Sequence, residues 1–212
     1  MGQSVVITDG AARSVVIVAR ADGKSLDGVI EAARARWPDL AGLEAAVLHR
    51  SFADDAVVEY LRGGSGLDAQ AMAAVYENFG AAIDVISADE AQLTPGPAAG
   101  DDGFVLHVAA AAPRPALLST MKCDPANQRP LLDYLFQSAE RFRGLFGGWA
   151  GAALFAGQDG SAVAEYLQFE SPEAMMALAE LEVIAEHKNN LSRLCVLDGI
   201  AVMPVHSWSA GG

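Results

Sequence analysis

The chain has 212 residues, 52% hydrophobic and 19% charged, and carries a net charge of −13. That is the composition of a folded globular protein, long enough for one large or two small units. It is also too acidic to favour nucleic acid or anionic lipid surfaces as partners.

Two cysteines, Cys123 and Cys195, lie far apart in sequence and in apolar contexts. They make neither a disulfide framework nor a zinc site and read as buried reduced thiols. The opening Met1-Gly2-Gln3-Ser4 has no basic region, and no apolar run reaches the length of a membrane span. The expectation is a cytoplasmic protein with no membrane partner.

In chain order, an apolar run at Gln3 to Ile7 reads as an extra strand ahead of a strand near 14–20. A helix near 25–36 carries Leu26, Val29, Ile30, Ala33 and Trp37 on one face and stops at Pro38. Strands near 43–51 and 56–62 follow, then a helix near 67–84 and a strand near 90–94. The proline- and glycine-rich stretch from Thr94 to Gly103 reads as a linker. Its centre, 97–103, divides a first unit (1–96) from a second (104–212).

The second unit opens on another extra strand, Phe104 to Val108, and a strand near 116–123. Asp124 as cap and Pro125 as first residue start a helix near 126–143. Strands near 149–156 and 162–169 precede a helix near 172–193, broken at Leu181-Glu182-Val183. Serine, proline and an acid at Ser171-Pro172-Glu173 give that helix its start signal. A strand near 199–206 ends the unit, and Ser209-Ala210-Gly211-Gly212 reads as a mobile tail.

The two units are copies. Ala56 to Leu61 (AVVEYL) and Ala162 to Leu167 (AVAEYL) share five of six residues at an offset of 106. Ser14 to Arg20 lies opposite Ala116 to Lys122, and Asp89 to Pro95 opposite Asp198 to Pro204. Each unit reads β-α-β-β-α-β, the ferredoxin-like plan, with its first and third strands adjacent and parallel at the centre. Both helices cover one sheet face. The other face is too apolar for water, as Val15-Val16-Ile17-Val18 and Val57-Val58 show. The fold class is therefore α+β, two tandem ferredoxin-like repeats whose bare faces meet as an intrachain pseudo-dimeric barrel. Two such chains pairing further as a homodimer is also open.

Glu59 and Glu165 match, as do Arg20 and Lys122. They read as a charge pair built twice within each sheet, or as a carboxylate inside the barrel that accepts a proton. Trp149, Phe155, Tyr166, Phe169 and Met121 cluster around the second sheet. They suit a core or an apolar pocket for an aromatic ligand. His49, His107 and His206 have no ligand spacing, so no metal is expected.

The run Glu165-Tyr166-Leu167-Gln168-Phe169-Glu170-Ser171, followed by Val183-Ile184-Ala185-Glu186-His187, resembles the antibiotic biosynthesis monooxygenase superfamily of dimeric α+β barrels. The resemblance covers about 117 to 206 and reaches the first unit only through the repeat. It implies a cofactor-independent oxygenase acting on a small phenol- or anthrone-like metabolite. His187 would be its catalytic base, and Trp149, Tyr166, Phe169, Met121, Phe155 and Glu165 its substrate pocket. Two other implied readings are a non-catalytic binder of a small apolar molecule and a haem-binding or haem-degrading protein with His187 on the iron. The haem degraders carry a tryptophan where this chain has Phe169 and an asparagine in the first strand, which Leu117 to Lys122 lacks. The position matching His187 in the first unit is Ala81, so a site using it belongs to the second unit alone.

Overall fold

The computed structural model describes residues 4–8, 12–20, 25–77, 82–96 and 105–210. The first unit contributes β1 (Ser4–Ile7), β2 (Arg13–Arg20), α1 (Leu26–Ala35), a 3-10 turn (Trp37–Asp39), β3 (Leu43–Ser51), β4 (Ala56–Gly63), α2 (Ala69–Glu77), β5 (Ala82–Ala88) and β6 (Ala91–Pro95). The second contributes β7 (Leu106–Ala109), β8 (Ala116–Lys122), α3 (Pro125–Leu145), β9 (Trp149–Ala156), β10 (Ala162–Phe169), α4 (Pro172–Ala179), α5 (Glu182–Leu191) and β11 (Val196–Ser209).

The strands of the first unit are ordered β5-β2-β4-β3 and those of the second β11-β8-β10-β9. This is one ferredoxin-like order built twice. The central pairs β2/β4 and β8/β10 are adjacent as expected, but antiparallel rather than parallel. The crossover helix joins β2 to β3, two places apart, and a tight hairpin returns the chain between them. Ser171 caps α4 through its side chain, which accepts from the Ala174 N–H, whereas the Asp124 side chain makes no cap bond to α3. The long last helix breaks at Leu181 into α4 and α5, as its sequence indicates.

Several boundaries differ from the sequence reading. The helix expected to run to 84 ends, within the described residues, at Glu77, and Ala82–Ala88 forms β5 on the edge of β2. Val85 pairs with Ile17 and Gly199 with Ser119, so the closing strands correspond at an offset of 114, not 109. Thr94 and Pro95, read as linker, pair with Ala152 and Gly151; residues 97–103 lie outside the described residues. Ser209 pairs with Ala45 and Ala210 donates to the Glu44 carbonyl, so the tail is held as far as residue 210. Cys123 and Cys195 are half-buried free thiols at adjoining ends of β8 and β11, not distant buried ones.

The two units do not face each other as separate sheets. The far half of β11 leaves β8 and pairs with β3, while β6 pairs with β9, so nine strands form one sheet. Its end strands, β5 and β6, are joined directly through Asp89-Glu90. The sheet thus wraps into a nearly closed barrel. The bare faces still meet, because they line its interior: Val16, Val47 and Tyr60 of one unit pack in one cluster with Leu118, Phe155 and Tyr166 of the other.

The extra strands β1 and β7 pair with each other, Val5 opposite Val108, and plug this interior. Only about 10 Å³ of void remains beside Ile7, His49, Phe155 and Tyr166. Ile7 is 2% exposed. Ile7→Ala is expected to cost about 2–5 kcal/mol, read from urea unfolding, because the plug cannot collapse into the space left. Arg20 pairs with Asp198 and Lys122 with Asp84, joining the units reciprocally. The basic residues therefore bridge the units instead of neutralising Glu59 and Glu165. Among the described residues no helix is long and apolar enough to cross a membrane.

Candidate active site

Side chains on a strand alternate between faces, so each half-sheet has a barrel face and a helix face. The duplicated glutamates lie on the helix face, not inside the barrel. Strand register places each in a row across its sheet: Val85, Ile17, Glu59 and Leu48 in the first unit, and Gly199, Ser119, Glu165 and Leu154 in the second.

In the first unit the space above the row is filled. Glu59 is 0% exposed and pairs with Arg36. Trp37 Nε1 donates to it at 2.6 Å and the Tyr76 hydroxyl at 2.9 Å. Burial raises the Glu59 carboxyl above its ordinary range, against the pull of Arg36, Trp37 and Tyr76. Trp37 and Tyr76 are themselves 2% and 0% exposed. Three protein donors engage both oxygens of this fully buried carboxylate, and no space is left beside it for a ligand.

In the second unit Ile17 is replaced by Ser119 and Val85 by Gly199, and the row lies open. A cavity of about 360 Å³ separates the sheet from α3, α4 and α5. Its floor includes Ser119, Glu165, Trp149 and Phe169, and its roof Phe142 and His187. Among the described residues no hydrogen bond or ion pair reaches the Glu165 carboxylate. Burial alone raises its carboxyl to about 7. A half-neutral carboxylic acid near physiological pH, in walls otherwise mostly apolar, is the arrangement by which proteins make acid–base catalysts from glutamate.

His187 is half-buried on α5. Its ring stacks on Tyr134 at 5.4 Å and meets the edge of Phe142 at 5.1 Å, and the Tyr134 hydroxyl lies 3.2 Å from Nδ1. Burial, then the positive charges of Arg141 and Lys188, lowers it to about 4. It is therefore neutral at pH 7 and a weaker base than Glu165.

Of the pocket residues named from sequence, Trp149, Phe169, Glu165 and His187 come together. Phe155 and Tyr166 do not: they point into the barrel, where the Tyr166 hydroxyl sits 3.2 Å from Nε2 of buried His49. Each lies an odd number of residues along its strand from a helix-face neighbour, and an odd step changes face. Met121 is on the helix face but packs behind Leu135 and Leu191 and does not itself line the cavity. Ser119, Gly199 and Phe142 were missed. The offset that aligns Ile17 with Ser119 already signalled the first; the misplaced closing strand hid the second.

No family profile or curated protein sequence matches the chain. Solved structures do. One described as an anthrone oxidase-like protein superposes with a TM-score of 0.82 at 16% identity, over 98% of each chain. A ferredoxin-fold protein from Listeria monocytogenes, described as related to antibiotic biosynthesis monooxygenases, gives 0.52 at 10% identity over 91% of this chain and 95% of that one. A Fusobacterium nucleatum protein provisionally described as a monooxygenase gives 0.57 at 8% identity over 95% and 96%. The chain thus has the ferredoxin-like barrel fold of these monooxygenase-like proteins across nearly its whole length.

Proposed function

We propose that the cavity of the second unit binds a small, flat aromatic metabolite of phenol or anthrone type and oxygenates it without a resident cofactor. One observation carries this reading: a mostly apolar cavity of about 360 Å³ that holds an unpartnered carboxylate. Apolar walls favour a neutral ring system and molecular oxygen over water. The chemistry demands little else. A methylene flanked by aryl rings and activated by a carbonyl loses a proton. The anion then passes one electron to oxygen, the two radicals combine as a hydroperoxide, and loss of water leaves a ketone. Overall CH2 and O2 become C=O and H2O, with every electron supplied by substrate and oxygen. The solved structures of this fold described as anthrone oxidase-like or monooxygenase-like support such a role. The first unit acts as a built-in partner that completes the barrel.

Oxygen consumption with 1,8-dihydroxyanthrone, above its spontaneous oxidation, tests this. Enzymatic uptake that saturates with substrate is expected. Saturable binding without uptake across a panel of phenols would make the protein a carrier or sensor of such compounds. Haem is the other occupant to test, because a neutral imidazole such as His187 is the form that ligates iron. A haemin titration is expected to give no shifted Soret band. A band abolished by His187→Ala would replace the oxygenase reading.

A further inference from the structure

We infer that Glu165 is the residue that takes the proton from the bound ligand, and that Glu59 is the same residue disarmed within the same chain. The inference rests on the proposed use of the cavity and assigns the base within it.

The two carboxylates differ in what surrounds them. Both sit mid-strand at one position of a duplicated unit, so the backbone presents them alike. Arg36, Trp37 and Tyr76 occupy Glu59 completely. Around Glu165 the same shell is missing. Ser119 supplies only a hydroxyl beside it. A Cβ on Gly199 would meet nothing closer than Leu117 Cδ1, at 3.7 Å, so this position, between the lining residues Leu197 and Ala201, carries no side chain where the first unit has Val85. From α3, α4 and the neighbouring strands the cavity receives apolar side chains and the hydroxyls of Ser119 and Ser138. The other ionisable groups lining it are His187 and Lys188, both from α5. A half-buried carboxylate with no protein donor has its acceptor capacity free for a ligand.

His187 is the rival base, and its geometry counts against it. Its Nδ1 is engaged by Tyr134 and its ring is held between Tyr134 and Phe142. The burial that weakens it as a base strengthens Glu165, since desolvation disfavours the charged form of each.

The step is simple. The C–H bond of the ligand's acidic carbon breaks, the proton passes to a carboxylate oxygen of Glu165, and the electron pair stays in the ring system as an enolate. No oxidant takes part, so the step can be observed alone. The full-length protein is incubated with 1,8-dihydroxyanthrone in deuterated buffer under nitrogen, and loss of the methylene proton signal is followed by NMR. Wild type is expected to accelerate exchange, with a rate that rises with pH through about 7. Glu165→Gln, which keeps the shape, is expected to lose about 100-fold or more, together with the pH dependence. Glu165→Asp, which retracts the carboxylate, should fall between them. His187→Ala is expected to alter binding but keep the pH limb. Circular dichroism of each variant separates loss of chemistry from loss of fold.

Exchange by Glu165→Gln at the wild-type rate overturns the assignment. So does a wild type no faster than buffer, or a pH limb that vanishes with His187 instead. Exchange without oxygen uptake would keep Glu165 as the base and end the oxygenase reading. Oxygen uptake undiminished in Glu165→Gln would do the reverse.

Discussion

Glu59→Gln is expected to destabilise the protein by about 3–5 kcal/mol, and Glu165→Gln to stabilise it above pH 7, although the two glutamates occupy one position of a duplicated unit. At Glu59 the substitution leaves the Arg36 guanidinium in a buried setting without its counter-charge. It also turns an amide N–H2 toward a donor, Arg36, Trp37 or Tyr76. Breaking a buried ion pair from one side typically costs that amount. Glu165 has no partner to lose. Its carboxyl is raised from 4.5 to about 7 in the folded chain, so the native state binds the proton more tightly than the unfolded state does. The contribution to stability is complete below about pH 4.5 and is lost as pH rises through about 7. A tenfold difference in proton affinity between the two states is worth about 1.4 kcal/mol, so the penalty above pH 7 is on the order of 3 kcal/mol at most. Water entering the cavity lowers it further. Urea unfolding at pH 4 and pH 8 reads both effects. Glu165→Gln should match wild type at the acid end and exceed it at the alkaline end. Glu59→Gln should be weaker at both. Equal losses at pH 8 would mean that Glu165 has a partner and that the two copies do the same work.

The opposition of these glutamates marks how far the sequence could be read. The repeat was legible because both copies of the fourth strand keep nearly the same six residues, whose alternate members (Ala56, Val58 and Tyr60; Ala162, Ala164 and Tyr166) pack the same barrel interior. The missed strand, β5, begins five residues after the described end of α2, and its Ala82-Ile83-Asp84-Val85 run continues the apolar spacing of that helix. Periodicity separates helix from strand poorly over so short a run. Its loss shifted the alignment of the closing strands by five residues and concealed that Gly199 stands where the first unit has Val85. The site was half legible for a different reason. Glu165 and Phe169 share a face that strand alternation predicts, and the same alternation turns Tyr166 away; Trp149, an even six residues from inward-facing Phe155, joins them only because the strand register shifts between Gln168 and Phe169. His187 reaches the cavity from α5, and Phe142 from the 21-residue α3. No spacing in a single sequence states which face of such a helix lies over which row of a sheet. The cavity itself is a difference between copies. It becomes visible in sequence only when the Ser119 position is compared with its twin, Ile17.

That difference can be reversed. Ser119→Ile and Gly199→Val restore, in the second unit, the side chains that close the row in the first. Val at 199 is sterically open, because its Cβ would lie in ordinary contact with Leu117, and a β-branched residue suits a strand. Covering a carboxylate that has no donor would drive it further toward its neutral form at a cost in stability. The informative protein is therefore the triple variant with Glu165→Gln, compared with Glu165→Gln alone. An isoleucine buried in the floor is worth about 1.5–3 kcal/mol, which for a chain of this length raises the melting temperature by about 3–10 °C. Affinity for 1,8-dihydroxyanthraquinone, followed by quenching of tryptophan fluorescence with Trp149 in the cavity floor, should persist in Glu165→Gln and fall about 100-fold or more in the triple variant. The plugged barrel interior, with about 10 Å³ of void, cannot take the ligand instead. Undiminished affinity in a triple variant with a raised melting temperature would show that the floor was filled and the ligand did not need it. The functional site would then lie away from the helix face of the second unit.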